Sequence, residues 1–310
     1  MIVILSPTAQ LAADTLSLEN PPSLTIEAEY GAFVCEGTRY TSAHHQPIGS
    51  DYVGRHVYAG GRPAPCNDEN IPVLSEREVA LISHLDLDTI GGLMRASGKY
   101  VSSFSDHPSF WDLAEKCDVE GVHVLDEDEP YYFCLRGILK EIKDIHPEID
   151  GKHNIDVSSF VSSISEYISD ALSNTGSGVN YEKGLRFVQG EKDLNLKTFQ
   201  YMTPLSVIIR RSPEGDFCNH LYSDPDGIKG VAVISYNEKW KSITMSLADS
   251  VGDFSCREVA QELWGGEAGG HKNIAGSPRK LPMNEEQFYQ AVSYFTDRLI
   301  PYLYEPSRQH

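Results

Sequence analysis

The chain has 310 residues, enough for about two domains that each bury a hydrophobic core. Its 45 acidic against 26 basic side chains give a formal net charge of -19, which repels nucleic-acid phosphates and excludes an extended surface for long duplexes. No apolar run approaches the ~20 residues of a membrane span. The six cysteines form no close pair, and we expect no secretory leader. We therefore expect a cytoplasmic protein with free thiols and no membrane partner.

The first hundred residues alternate short β-rich runs with turn-rich segments. SLTIEAEY and AFVCEG are typical of strands, whereas GGRPAPCNDENIP is typical of a loop. The segment EREVALISHLDLDTIGGLMRASG then predicts a strand over residues 79–83, a polar loop and a helix that begins near Thr89. This is a βα unit whose acidic loop lies at the carboxyl end of the strand, where open α/β sheets bind ligands.

Helical periodicity dominates from about residue 108 to residue 172, in FWDLAEKC, YYFCLRGILKEIKDI and VSSFVSSISEYISDAL. GIKGVAVISYNEKWKSITMSLAD then predicts two strands around a turn at Asn237 and Glu238. Helices over REVAQELW and NEEQFYQAVSYFTDRLIPYL complete a second α/β unit. We predict an α/β protein with two α/β domains and a helical connection. The domains cover residues 1–175 and 176–310, with the active site in the crevice between them.

His84, Asp86 and Asp88 alternate in SHLDLDTIGG. In an extended stretch, alternating side chains point to one side, so one imidazole and two carboxylates would converge. Such nitrogen and oxygen ligands suit Mn²⁺, Mg²⁺ or Zn²⁺, and carboxylates shared by two ions are common in phosphate-cleaving sites. The alternative is a solvated acidic turn in which Asp88 caps the following helix.

Other histidines and one further aspartate are weaker candidates. His44 and His45 follow the β-rich EGTRYT, and at a strand end both side chains can turn toward one ion pair. Asp118 and His123 in EKCDVEGVH are candidate ligands, with an ordinary helix terminus as the alternative. For the histidine pair the alternative is an exposed loop, and His107 in SDHPSF is more typical of a helix start.

The segment WGGEAGGHKNIAGSPR places five glycines around one histidine. Glycine lets the main chain approach a ligand closely and adopt positive φ, so Gly269 and Gly270 indicate backbone that contacts a phosphate or a base. His271, Lys272 and Arg279 would then neutralise the phosphate. The alternative is a glycine-rich turn between a helix and a strand.

These segments carry a family resemblance. SHLDLDTIGG resembles the H-x-x-x-D-x-D-A-I-G-S signature of the DHH phosphoesterase superfamily, shortened by two residues after the histidine. SLADSVGDFSCREVAQELWGGEAGGHKNIAGSPR resembles the associated C-terminal domain, whose S-L-R-S and G-G-G-H-x-x-A-A-G motifs have this spacing. HHQ resembles the namesake triplet with Ala43 in place of the leading aspartate, although it precedes HLDLD here. Ala248 stands where the C-terminal motif has arginine.

The resemblance implies a two-domain phosphohydrolase with two Mn²⁺ ions, or Mg²⁺ or another divalent cation, and a C-terminal domain that binds the substrate. The implied substrate is a small nucleotide or a short oligonucleotide. A nucleotide-binding regulatory or interaction protein with a degenerate metal site is the competing class, and a homodimer remains open. The residues assigned to metal binding or catalysis are His44, His45, His84, Asp86, Asp88 and Asp118.

Overall fold

The chain folds into two compact units, Met1–Phe187 and Val188–His310. The division lies within one continuous helix, Gly178–Thr198, which begins just after the predicted boundary at residue 175. Both units combine helices with a sheet, which confirms the predicted α/β class. The computed structural model describes residues 1–16, 21–30, 33–43, 63–270, 272–278 and 281–304.

The first unit contains a five-stranded sheet and a two-stranded hairpin. Its strands are β1 Ile2–Leu5, β2 Leu24–Ile26, β3 Glu29–Tyr30, β4 Phe33–Val34, β5 Tyr40–Ser42, β6 Val79–Ile82 and β7 Ile155–Asp156. The large sheet has the order β5-β2-β6-β1-β7, with only β7 antiparallel to its neighbour, and β3 pairs with β4. The apolar runs IVIL in β1 and VALI in β6 are typical of parallel strands that are covered on both faces.

Among the described residues, six α-helices lie in the first unit and a seventh continues into the second unit. They are α1 Ala9–Leu16, α2 Leu87–Ser97, α3 Val101–Ser105, α4 Pro108–Glu120, α5 Tyr132–Ile145, α6 Ser158–Ser173 and α7 Gly178–Thr198. Buried Ile90, Trp111, Leu135 and Ile164 join α2, α4, α5 and α6 in one hydrophobic cluster. The helical region predicted from residue 108 to residue 172 is confirmed, whereas α1 and α7 were not predicted.

The second unit is a six-stranded sheet packed against two helices. Its elements are β8 Phe199–Met202, β9 Val207–Ser212, β10 Ala232–Asn237, β11 Ser242–Leu247, α8 Cys256–Trp264, β12 Gly269–Gly270, β13 Ile274–Gly276 and α9 Glu285–Tyr304. The strand order is β12-β13-β11-β10-β9-β8, and only β9 and β10 are parallel neighbours. Ile234, Met245, Phe254, Phe288 and Phe295 form its core. The predicted strand pair and both predicted helices are confirmed.

The six cysteines are all free thiols, as expected. Burial raises the pKa of the Cys134 thiol to about 12, and burial likewise raises the pKa of Cys256 to about 12. These thiols therefore remain protonated and unreactive at neutral pH. Among the described helices, none is both long enough and apolar enough to cross a membrane.

Helices α5 and α7 approach each other at a glycine, and this contact yields a testable prediction. A Cβ atom at Gly184 would overlap the carbonyl oxygen of Phe133, whereas a Cβ at Gly190 on the same helix would meet no heavy atom within 4 Å. We expect Gly184→Ala to lower the free energy of unfolding by about 1–3 kcal/mol, because the helices must move apart. Gly190→Ala should raise it by up to about 1 kcal/mol through helix propensity. Urea denaturation measures both changes, and equal effects would contradict this packing.

Candidate metal centre

The candidate centre lies at the carboxyl edge of the parallel sheet. Strand β2 pairs in parallel with both β5 and β6, so the residues that follow these three strands, Glu27, Ala43 and Ser83, lie at the same edge. The Glu27 N–H donates to the carbonyl oxygen of Ser42 at 2.9 Å, and the Ser83 hydroxyl donates to the carbonyl oxygen of Glu27. The acidic loop that follows β6 is thereby joined to the end of β2.

One imidazole and two carboxylates meet at this edge. His84 Nε2 lies 3.0 Å from Glu27 Oε2 and 2.7 Å from Asp86 Oδ2. Glu27 is buried, whereas 42% of the His84 side chain and 36% of the Asp86 side chain are exposed to solvent. Glu27 therefore lies on the buried side of the group, and His84 and Asp86 lie on the side that a substrate could approach.

Asp86 also begins helix α2. Its Oδ1 atom accepts a hydrogen bond from the Thr89 N–H at 3.1 Å, which satisfies one of the free donors of the first helical turn. The helix starts at Leu87, two residues earlier than predicted, and Asp86 takes the capping role that the alternative interpretation gave to Asp88. Asp88 is only 1% exposed, so it is not a residue of a solvated turn.

The carboxylates of the centre interact strongly. Burial opposes ionisation of Asp86, but hydrogen bonds with His84 and Asp88 outweigh burial and hold the pKa of Asp86 well below its usual range. Burial, followed by the charge of Asp86, raises the pKa of Asp88 well above its usual value. Burial also opposes the charged form of His84, yet hydrogen bonds and charges from Asp86 and Glu27 raise the pKa of His84 to about 10. Protons on His84 and Asp88 therefore offset the negative charge of the clustered carboxylates. A divalent cation would supply the same positive charge in their place.

Two groups of candidate ligands share one carboxylate. Glu27, His84 and Asp86 offer three ligand atoms that lie within 4.8 Å of one another, and Asp86, Asp88 and Asp118 offer a second such set. Asp118 comes from the last turn of α4. Carboxylate oxygens with one imidazole nitrogen suit Mn²⁺, Mg²⁺ or Zn²⁺, so the donor set fits the predicted cations. Asp86 is the carboxylate that belongs to both ligand groups.

The structure places four of the predicted ligands, His84, Asp86, Asp88 and Asp118, in two groups that share Asp86, and their role as ligands stays a prediction. It adds Glu27, which the sequence analysis did not single out. The signal was weak, because Glu27 is one of two glutamates at the end of the strand-like run SLTIEAEY. Its backbone has a positive φ of 47°, a conformation that a non-glycine residue rarely adopts and that often marks a functional site.

The other predicted histidines do not join the described ligand groups. His107 Nδ1 lies 3.2 Å from the Tyr131 hydroxyl, and His123 lies in a short 3₁₀ turn after α4. His44 and His45 lie outside the described residues, and their roles stay predictions. Ala43, which precedes them, is buried at the carboxyl end of β5.

The glycine-rich segment forms strand β12 and its partner β13. Gly270 has a φ of 147°, and a Cβ there would overlap Ala275 of β13, whereas a Cβ at Gly269 would meet no heavy atom within 4 Å. Gly270 must therefore lack a side chain so that β12 can pair with β13. At Gly269 the same direction is open, so a ligand can approach the main chain there. Lys272 Nζ donates to the Gly252 carbonyl oxygen at 2.8 Å. Of the predicted substrate-binding residues, His271 and Arg279 lie outside the described part of the chain.

No family model matches the chain, and no curated protein matches it. Among solved structures, an exopolyphosphatase-related protein from Bacteroides fragilis is similar at 13% identity with a TM-score of 0.32. That match covers 73% of this chain and 59% of that protein, so the chain spans less than two thirds of its length. A pGpG-specific phosphodiesterase from Vibrio cholerae is similar at 8% identity with a TM-score of 0.41, over 78% of this chain and 89% of that one.

Proposed function

We propose that this chain is a metal-dependent phosphohydrolase that cleaves a phosphodiester or phosphomonoester bond in a small nucleotide or a short oligonucleotide. Two Mn²⁺ ions, or Mg²⁺ or another divalent cation, would occupy the candidate metal centre. The observation that carries this proposal is that Asp86 belongs to both ligand groups. An acidic turn that only caps a helix would not need a second ligand group that includes Asp118 from α4.

The Ser83 hydroxyl prepares His84 for this role. Its hydrogen is donated to the Glu27 carbonyl oxygen, so its oxygen accepts from His84 Nδ1, which lies 2.7 Å away. The neutral imidazole then carries its proton on Nδ1 and presents a lone pair at Nε2, the nitrogen that faces Glu27 and Asp86. Metal-binding histidines typically donate the N–H of the other ring nitrogen to a neighbouring acceptor, and the Ser83 hydroxyl oxygen is that acceptor for His84.

Hydrogen bonds from Thr89 also hold two of the other ligands, Asp86 and Glu27, in place. The Thr89 backbone holds Asp86 Oδ1, which leaves Oδ2 for the centre, and the Thr89 hydroxyl donates to Glu27 Oε2 at 3.4 Å. When bound, the cations would polarise the phosphoryl group and lower the pKa of a water molecule for in-line attack. Their charge would also let a chain with a net charge of -19 accept a phosphate.

Metal analysis followed by a substrate panel tests the proposal. We expect purified protein to bind Mn²⁺ in stoichiometric amounts and to release phosphate or a nucleotide from at least one member of the panel. The panel contains cyclic dinucleotides, short oligonucleotides, adenosine bisphosphate and pyrophosphate. If the protein binds stoichiometric metal but hydrolyses no compound of the panel, the enzyme hypothesis is overturned and a nucleotide-binding regulatory protein is favoured.

We further propose that the main chain at Gly269 of the glycine-rich segment binds the nucleotide, and substitution of Gly269 provides the test. Gly269→Val adds a side chain to open space in a strand position that tolerates valine. We expect it to weaken nucleotide binding by about 1–3 kcal/mol, because a main-chain hydrogen bond to phosphate is blocked. Metal content and thermal stability should stay unchanged.

Two further variants separate ligand contact from folding. The side chain added by Gly266→Val would also lie in open space, but Gly266 precedes β12. We therefore expect this variant to bind nucleotide like the original chain. Gly270→Val should lower stability, because the added side chain overlaps Ala275. Wild-type nucleotide affinity in Gly269→Val would contradict the role proposed for this segment, as would an equal loss in Gly266→Val.

A further inference from the structure

A cavity of about 620 Å³ lies between α2, α3 and α4 in the first unit. Its volume is within the range of small-molecule sites. None of the five candidate metal ligands lines it. Arg95, a lining residue, follows Asp88 by about two turns of α2, so the cavity is separate from the candidate metal centre.

Arg95 is held in one orientation in this cavity. Its Nε donates to the carbonyl oxygen of Cys66 at 2.6 Å, and its guanidinium carbon lies 4.1 Å from the centre of the Phe104 ring. Phe104 in turn stacks on buried Trp111 at 4.6 Å. Within the described part of the chain, no hydrogen bond or ion pair engages Arg95 Nη1 or Nη2. These two groups form a planar, pre-oriented fork of donors of the kind that binds a carboxylate.

The opposite charge is also present in the cavity. Glu69, Asp112 and Glu115 are lining residues. Glu115 is already engaged, because its oxygens accept from the Ala64 N–H at 3.0 Å and from Asn67 at 2.6 Å. Across the described ranges, no side chain or backbone group bonds to the carboxylates of Glu69 and Asp112, and both residues are exposed. The cavity therefore offers two carboxylates that accept no hydrogen bond from the described residues, and the charge of one of them, Glu69, also acts on Arg95.

The cavity also has exposed apolar side chains. Val73 and Val101 line the cavity and are 59% and 67% exposed, although burial of such side chains is normally favourable. Tyr100 adds further apolar surface. A ligand with a hydrophobic body would cover the two valines, while its charged groups face Arg95 and the carboxylates.

We propose that this cavity binds a zwitterion, namely a free α-amino acid with a large apolar side chain. Its carboxylate would pair with Arg95, its ammonium group with Asp112 or Glu69, and its side chain would contact Val73 and Val101. A simple anion would face two carboxylates, and a simple cation would leave the Arg95 fork unpaired. The zwitterion is the smallest ligand that satisfies both.

Calorimetric titration of metal-free protein with L-phenylalanine tests this proposal without any reference to catalysis. We expect saturable binding at one site. Phenethylamine lacks the carboxylate and 3-phenylpropanoate lacks the ammonium group, so each should bind at least about tenfold more weakly, the effect of one lost charge-assisted hydrogen bond. Absence of binding by phenylalanine, leucine and tryptophan would overturn the proposal. Equal affinity for phenylalanine and either analogue would do so too.

A double variant locates the binding site. Glu69→Gln combined with Asp112→Asn removes both carboxylates from exposed positions, so the fold should persist, and we expect at least about tenfold weaker phenylalanine binding. Asp170→Asn, on the exposed surface of α6, is the matched control and should bind like the original chain. Unchanged affinity in the double variant would place the bound amino acid elsewhere and refute the assignment of this cavity.

Discussion

Asp86→Asn should remove both proposed divalent cations and reduce the proposed phosphohydrolase activity by at least roughly 10²- to 10³-fold, the loss that follows removal of one preorganised electrostatic group. Asp86 belongs to both ligand groups, so the loss of its charge weakens both. Asparagine keeps the side-chain oxygen that accepts from the Thr89 N–H at 3.1 Å, and it caps helices as well as aspartate does. The substitution therefore changes the centre while α2 keeps its start.

Mass spectrometry measures the expected loss of metal. Thermal unfolding followed by circular dichroism checks that the fold is retained. Asp170→Asn makes the same chemical change at an exposed site on α6 and should retain two ions and full activity. An Asp86→Asn protein that still holds two equivalents of Mn²⁺ would show that Asp86 is only a helix cap. Loss of metal together with a collapsed melting transition would mean that the fold depends on Asp86 itself.

Much of the fold follows from periodicity, and the elements that escaped prediction show its limit. Helix α7 contains Gly184 and Gly190 and mostly polar side chains, so its sequence has no clear apolar stripe. Its stability comes from contacts that are distant in sequence. Gly184 lets α7 approach α5 closely, and buried Arg210 donates to the Asn195 carbonyl oxygen at 3.1 Å, which ties the end of α7 to β9.

The candidate site was predictable where its residues are close in sequence. His84, Asp86 and Asp88 follow one strand at alternating positions, and this pattern alone indicates convergence. Glu27 reaches the same place through strand pairing, because β2 lies beside β6 in the sheet. Ser83 and Glu27 are 56 positions apart, and nothing in the local pattern of either segment specifies that pairing. The register of a sheet depends on the packing of the whole unit.

The capping of α2 shows the same limit on a shorter scale. Both Asp86 and Asp88 precede or begin a helical pattern, and either residue type is a favoured N-cap. The structure gives this role to Asp86 and buries Asp88 to 1% exposure. A buried carboxylate costs free energy unless it is protonated or paired with a countercharge, so the choice depends on neighbours distant in sequence, among them Asp118 from α4.

The two outer ligands should each control one cation. Glu27 belongs only to the group with His84, and Asp118 belongs only to the group with Asp88. We therefore expect Glu27→Gln to lower the Mn²⁺ content from two ions to one, and Asp118→Asn to lower it from two ions to one at the other position. Each substitution should lower the affinity for the affected ion by at least roughly 10- to 100-fold, the loss seen even for residues that only support a metal ligand.

Combining the substitutions distinguishes two separate ion positions from one position with five ligands. If the positions are separate, the double variant Glu27→Gln, Asp118→Asn should bind no Mn²⁺, as Asp86→Asn does, while each single variant retains one equivalent. Glutamine can still accept the hydrogen bond that the Thr89 hydroxyl donates to Glu27 Oε2 at 3.4 Å, so the end of β2 should keep its structure. Titration with Mn²⁺ followed by electron paramagnetic resonance reports both the number of ions and their coupling. Loss of both ions in the Glu27→Gln or the Asp118→Asn single variant would show one shared position and contradict the two-ion centre.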